Sequence, residues 1–334
     1  MSGDVFIDDP LRIVRGFSFM ANYNFLIDKT TLRFMTEHRA LLHHVSGERL
    51  GEEFLKIFKS PNAFKTLKLL DKTFVIDEII FCAKDLRGMD HGPYHHLDVW
   101  GHSLEAVRCF EKLYDEFKKH KNIFKYLNTC AGNNRMRYQI VKLACLLHDI
   151  GKPLTRKVKN GKLIFHAHEK VGRDLAKDII ARLRLSGSEG LMLKNLIYWH
   201  MRPGHLAGLK ELTPRAKYRF FRDCGADALG VIFVCLSDWR AMRGPKLTAK
   251  ERKVHERIML GFLKEYFVIE KKVQSPKIIN GHDIMEKLKL SPSPLIGDIL
   301  KAVYEKQALG KITTKEEAFK FALVIANKRG GKNV

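Results

Sequence analysis

His148 and Asp149 stand side by side at the end of an apolar run, Leu143-Ala144-Cys145-Leu146-Leu147-His148-Asp149-Ile150-Gly151-Lys152-Pro153. An imidazole beside a carboxylate in apolar surroundings is costly to desolvate unless a metal or a tight partner uses both. Gly151 and Pro153 are helix-stopping residues, which predicts the dyad on the last turn of a helix, facing the interior. Further candidate ligands stand far apart along the chain at His102, His168, His200 and Asp238. Imidazole plus carboxylate is the ligand set of borderline and hard divalent cations. Four imidazoles and two carboxylates exceed the needs of one tetrahedral zinc. They suit two metals bridged by Asp149 and a hydroxide that attacks phosphorus in line. The chemistry expected is therefore metal-dependent hydrolysis of a phosphate ester, with Asp149 and Lys152 as catalytic groups, Lys152 neutralising charge on the phosphoryl group. Arg202 and Arg243 are candidates to hold a phosphate or a nucleic-acid backbone farther out. Such a ligand set accepts one or two ions of Mn, Ni, Mg, Fe or Co without choosing among them. The other imidazoles singled out, His91, His95, His96, His120, His166, His205, His255 and His282, are read as surface or satisfied core residues.

The elements that must position these ligands read as helices nearly throughout, so the fold class expected is all-α. Apolar residues recur at three- and four-residue steps, as in Val171, Leu175, Ile179, Ile180 and Leu183. Each ligand or ligand pair falls on a different helix or helix end, as in a site built inside a bundle. A short hairpin is expected over 157–165, turning at Asn160-Gly161, and nothing else resembles a β-sheet core. Composition suggests three parts: a first helical unit over 1–80, a ligand-bearing unit over 81–246, and a C-terminal unit over 247–334 that opens with a basic helix. The polar end from Lys328 onward is expected to fray.

Net charge is a second bound. Sixty Lys and Arg against 37 Asp and Glu leave +23, a surplus that attracts polyanions and favours nucleotide or RNA partners. No apolar stretch is long enough to span a bilayer, and the N-terminus lacks a signal-peptide pattern. The six cysteines form no CxxC pair and read as buried free thiols of a reducing compartment, the cytoplasm.

Taken together, His102, His148-Asp149, His168, His200 and Asp238 resemble the HD superfamily of metal-dependent phosphohydrolases. One branch is closer still. Leu147-His148-Asp149-Ile150-Gly151-Lys152-Pro153, Phe165-His166-Ala167-His168-Glu169, His200-Met201-Arg202-Pro203 and Ser237-Asp238-Trp239-Arg240-Ala241-Met242-Arg243 resemble the HD region of bacterial tRNA nucleotidyltransferases, the CCA-adding and poly(A) polymerase class. Asp9-Pro10-Leu11-Arg12 is similar to their neck and Ile279-Asn280-Gly281-His282 to their C-terminal segment. The resemblance implies phosphomonoesterase or 2′,3′-cyclic phosphodiesterase chemistry on nucleotides or RNA ends. It implies tRNA as a polyanionic partner too. Members begin with a nucleotidyltransferase head bearing a Gly-rich loop and paired aspartates, and no such segment precedes the neck-like residues here. The expectation is a headless relative that needs a separate head to add nucleotides. In the neck, Asp9 and Arg12 keep the family's base-reading pattern, while Asp8 replaces its usual Glu. Without a head, Asp8 or Asp9 is expected to cap a helix, with Pro10 in its first turn and Arg12 in a local ion pair.

Overall fold

The computed structural model describes residues 3–209 and 211–330; residues 331–334 of the polar end lie outside them. The fold is all-α apart from two short antiparallel hairpins. Contacts divide the chain into two units: Met1–Ala207 with Leu229–Leu263, and Gly208–Ala228 with Lys264–Val334.

The first unit is organised by two largely apolar helices that are buried over most of their length. They are Arg137–Leu147, buried at every position from Gln139 to Leu147, and Ala228–Ala241, buried from Ala228 to Ser237. Val99–Glu116 and Gly187–Trp199 pack against Arg137–Leu147, and His168–Arg182 packs against Gly187–Trp199. Asp98 caps Val99–Glu116, its carboxylate accepting from Gly101 N at 2.7 Å and Gly88 N at 2.6 Å. Ser186 and Glu189 form a capping box on Gly187–Trp199. The buried Glu189 also accepts two hydrogen bonds from Arg135, at 3.0 and 3.1 Å. Within the same unit, Leu11–Tyr23 packs on the amphipathic helix Gly47–Lys59, which buries Leu50, Phe54, Leu55, Ile57 and Phe58.

The neck-like residues depart from expectation. Asp8 ends a short helix, Asp4–Asp8, and neither it nor Asp9 caps Leu11–Tyr23, which starts after Pro10 with no side-chain cap. Asp9 is instead drawn away by Arg49, which donates to both its carboxylate oxygens at 3.1 Å. Arg12 donates to the Val5 carbonyl at 3.4 Å rather than to a carboxylate.

The expected hairpin pairs Arg156–Lys159 with Lys162–Phe165, and Asn160 and Gly161 take the positive φ of 52° and 69° that a two-residue turn demands. A second hairpin, unexpected, joins Cys130–Gly132 to Arg135–Met136 through Asn133 and Asn134, both also at positive φ. Its strands are too short for alternation to register in the sequence.

The second unit has its own core, in which Ile279, Ile284, Ile296, Ile299, Val303, Ile312, Ala318 and Ala322 are buried together. Glu305, buried in Pro294–Ala308, accepts from Arg219 at 2.7 Å and also from Arg215, both on Pro214–Cys224. Five of the six cysteines are buried free thiols and Cys130 is exposed. Among the described residues no helix is long and apolar enough to cross a membrane.

Candidate metal centre

Asp149 is the hub of the site. Its Oδ2 lies 2.8 Å from Lys152 Nζ, 3.2 Å from His148 Nε2, 3.3 Å from His91 Nε2 and 3.9 Å from His102 Nε2. Its Oδ1 lies 3.4 Å from His168 Nε2, which is 3.3 Å from His200 Nε2. Asp238 Oδ1 sits 2.9 Å from His102 Nε2 and 3.7 Å from His148 Nε2. All six candidate ligands thus meet, although His102 and Asp238 are separated by 136 positions.

Helix ends do the positioning. Arg137–Leu147 stops just before His148, which remains helical in its backbone angles, so the dyad continues the last turn. Gly151 and Pro153 do not leave the chain in a loop; a further short helix, Lys152–Thr155, starts at once with Pro153 in its first turn. Gly151 is required for a second reason. A Cβ there would lie 2.1 Å from the His168 carbonyl oxygen and 2.6 Å from Gly172 N, so only glycine lets the dyad approach the start of His168–Arg182. His200 follows the last residue of Gly187–Trp199. His102 lies in the first turn of Val99–Glu116, and Asp238 in the last turn of Ala228–Ala241.

The ring orientations are fixed from behind. Nδ1 of His148 donates to the Cys145 carbonyl at 2.9 Å, Nδ1 of His168 to Phe165 at 2.8 Å, and Nδ1 of His200 to Ile197 at 2.7 Å. A carbonyl can only accept, so each Nδ1 carries the proton and each Nε2 presents a lone pair to the centre. Burial, reinforced by neighbouring charge, pushes His200 and His91 down to about 3. Burial also lowers His102 and His168, leaving these imidazoles neutral and fit to bind a metal at pH 7. His148 moves the other way: burial opposes its charge, but the Asp149 carboxylate outweighs it. Burial alone would raise Asp149 and Asp238; His148 and Lys152 hold the first low, His102 and His148 the second.

This donor set fits a divalent cation. His102, His148 and Asp149 form one group whose ligand atoms lie within 4.8 Å of one another, and Asp149, His168 and His200 another. The buried His148 Nε2 makes no regular hydrogen bond, although Asp149 Oδ2 lies 3.2 Å away. A buried, unpaired lone pair among carboxylates is what a metal site looks like from the protein side.

Two further imidazoles belong here that sequence reasoning set aside. His91 contacts Asp149 and Lys152, and His95 stacks on His91 with ring centroids 3.4 Å apart. His95 Nδ1 is 3.3 Å from His102 Nδ1, making His91, His95 and His102 a third group. Both sit in the irregular stretch before Asp98, where no periodicity flags an inward face; the density of His91, His95 and His96 is the one signal available. Lys152 is buried and held by Asp149. Arg202 and Arg243 line neither wall of the cavity over the centre. Arg202 lies over the Trp199 ring at 4.8 Å, and Arg243 lines a neighbouring cleft with Lys112, Arg252 and Lys253.

Residues 99–243, which hold all six candidate ligands, match the HD domain family. Residues 24–80 match a family described as "Probable RNA and SrmB-binding site of polymerase A". The chain is 27% identical to the A-adding tRNA nucleotidyltransferase of Deinococcus radiodurans, over 94% of its own length and 67% of that protein's. It is 29% identical to the CC-adding tRNA nucleotidyltransferase of Thermus thermophilus, over 97% of its length and 68% of that protein's. Its fold matches the Thermotoga maritima CCA-adding enzyme solved with tRNA, at a TM-score of 0.52 and 16% identity, covering 97% of this chain and 62% of that one. The chain thus spans about two thirds of the length of these relatives. It carries an HD domain. More particularly, it is a homologue of the CCA-adding tRNA nucleotidyltransferases across their neck, HD and tail regions.

Proposed function

We propose that the HD centre of this chain hydrolyses phosphate esters, as a phosphomonoesterase or 2′,3′-cyclic phosphodiesterase acting on nucleotides or RNA ends. The observation that carries the reading is the convergence of three backbone-anchored Nε2 lone pairs on Asp149, one of them unpaired. His102, His148, Asp149 and Asp238 would hold one divalent ion, and Asp149, His168 and His200 a second. Such ions lower the pKa of water and neutralise charge on phosphate oxygens. Lys152 keeps Asp149 oriented and brings a buried positive charge to the cavity wall, where it favours a phosphate dianion. The Nδ1–carbonyl bonds keep the imidazoles from rotating out of register. The five buried thiols accord with a reducing, cytoplasmic setting.

The test is hydrolysis of 2′,3′-cyclic AMP with added Mn²⁺ or Ni²⁺. Turnover is expected to vanish with EDTA and in Asp149→Ala. Failure to turn over with Mn²⁺, Ni²⁺, Mg²⁺, Fe²⁺ or Co²⁺ would sink the reading.

A second reading has support of its own: the chain grips tRNA. The match at 24–80 to an RNA-binding site and the net charge of +23 favour it. Both roles are compatible in one chain.

A further inference from the structure

The cavity over the metal centre, about 370 Å³, is also lined by Trp239, next in the chain to Asp238, and by His255, which comes from the helix Ala249–Gln274, beyond the residues matched to the HD family. The two rings stack with centroids 3.7 Å apart and planes 12° from parallel. His255 is only 6% exposed, yet neither ring nitrogen has a hydrogen-bond partner. The buried Trp239 Nε1 has none either. Gly204 packs close beside it, so that a Cβ there would touch His255 Nε2 at 3.5 Å.

Buried polar atoms without partners are rare because each keeps its desolvation cost with nothing in return. Here three occur on two stacked side chains at one wall of a ligand-sized cavity. Burial lowers His255 to about 4, so at neutral pH it offers one donor and one acceptor rather than a charge. That pairing suits a heteroaromatic ring edge or a sugar hydroxyl, and the neighbouring Phe165, Met201 and Met242 supply apolar faces for a ring.

We infer that Trp239 and His255 form a recognition subsite for the nucleoside part of the substrate, so that the cavity takes a nucleoside phosphate end-on, phosphate to the metal centre and nucleoside to this wall. The inference rests on the phosphohydrolase reading for the phosphate end only; the nucleoside end stands on its own atoms.

Calorimetric titration of the full chain with AMP, adenosine and inorganic phosphate separates the two. In Mn²⁺, wild type is expected to bind AMP at least tenfold more tightly than phosphate. His255→Phe, which replaces the imidazole by an apolar ring of similar shape, is expected to cut that ratio about tenfold, the worth of one or two hydrogen bonds. His255→Gln is expected to recover part of it. Because Phe also removes two unpaired buried nitrogens, the melting temperature is expected to hold or rise. A merely structural imidazole would give the reverse pattern, a lower melting temperature with AMP affinity within twofold of wild type, and that result would overturn the inference. If His255→Phe does not fold, Trp239→Phe, which deletes only the indole N–H donor and one ring, decides by the same ratio. Adenosine binding in EDTA that depends on His255, without any hydrolysis, would leave the subsite standing and remove the phosphohydrolase reading. Hydrolysis with an unaltered ratio in both variants would do the opposite.

Discussion

Replacing Asp149 by Ala tests the electrostatic account of the centre without any substrate. In the metal-free protein at pH 7.5, the imidazoles of His91, His168 and His200 are already neutral, since burial lowers all three. His148 owes its raised pKa, against the opposing effect of burial, to the Asp149 carboxylate, so removing that carboxylate lowers it. What remains is Lys152, 7% exposed, with its 2.8 Å carboxylate partner deleted. Removing one member of a buried pair costs about 3–5 kcal/mol. Urea unfolding of EDTA-treated protein is expected to show a loss of that order for Asp149→Ala. The double variant Asp149→Ala/Lys152→Met removes the stranded charge while keeping an unbranched side chain, and is expected to be about 2 kcal/mol or more steadier than the single variant. A double variant no more stable than Asp149→Ala would refute the claim that Lys152 is held by that carboxylate. Mn²⁺ at a hundredfold excess over its dissociation constant is expected to add about 2.7 kcal/mol to wild type and nothing to either variant.

Three further outcomes follow from the geometry. Gly151→Ala drives a methyl into the His168 carbonyl at 2.1 Å; a loss of about 1–3 kcal/mol in urea unfolding, and a drop in turnover of roughly a hundredfold as the dyad is pushed from His168, are expected. The metal-free protein is expected to lose stability as pH falls from 6.5: unfolded imidazoles titrate near 6.5 but folded His91 and His200 near 3 and His255 near 4, so the unfolded state binds more protons across that window. His148 works in the opposite sense and offsets part of the loss; a melting temperature flat between pH 6.5 and 4 would contradict the burial of these rings. Arg243→Ala is expected to weaken tRNA binding evenly across sequences and to reduce the salt slope by about 1, measured by filter binding over a range of salt.

The ligands on helix ends were legible because a polar pair closing an apolar run is a local signal. His148-Asp149 declares itself in this way. Helix character was legible through periodicity, and the Asn160-Gly161 turn through residue chemistry. His91 and His95 were not, since they reach the site from an irregular stretch whose placement depends on Asp98, Gly88 and Gly101 closing a local loop. Asp9 escaped its expected cap because Arg49, 40 positions away, competes for its carboxylate. Nor does composition reveal that 208–228 sides with the C-terminal unit; that grouping rests on tertiary contacts such as Arg219 to Glu305. His255 was dismissed with the isolated imidazoles, and only its burial without partners distinguishes it.

The scatter of the ligands along the chain has a consequence for how the protein matures. His91 leaves the ribosome 147 residues before Asp238, a delay of about 7–30 s at roughly 5–20 residues per second. Until Asp149 emerges the early imidazoles have no carboxylate of the site, and Asp238 is missing throughout that interval. A divalent ion at this centre would therefore meet the full set of candidate ligands only after synthesis has passed Asp238.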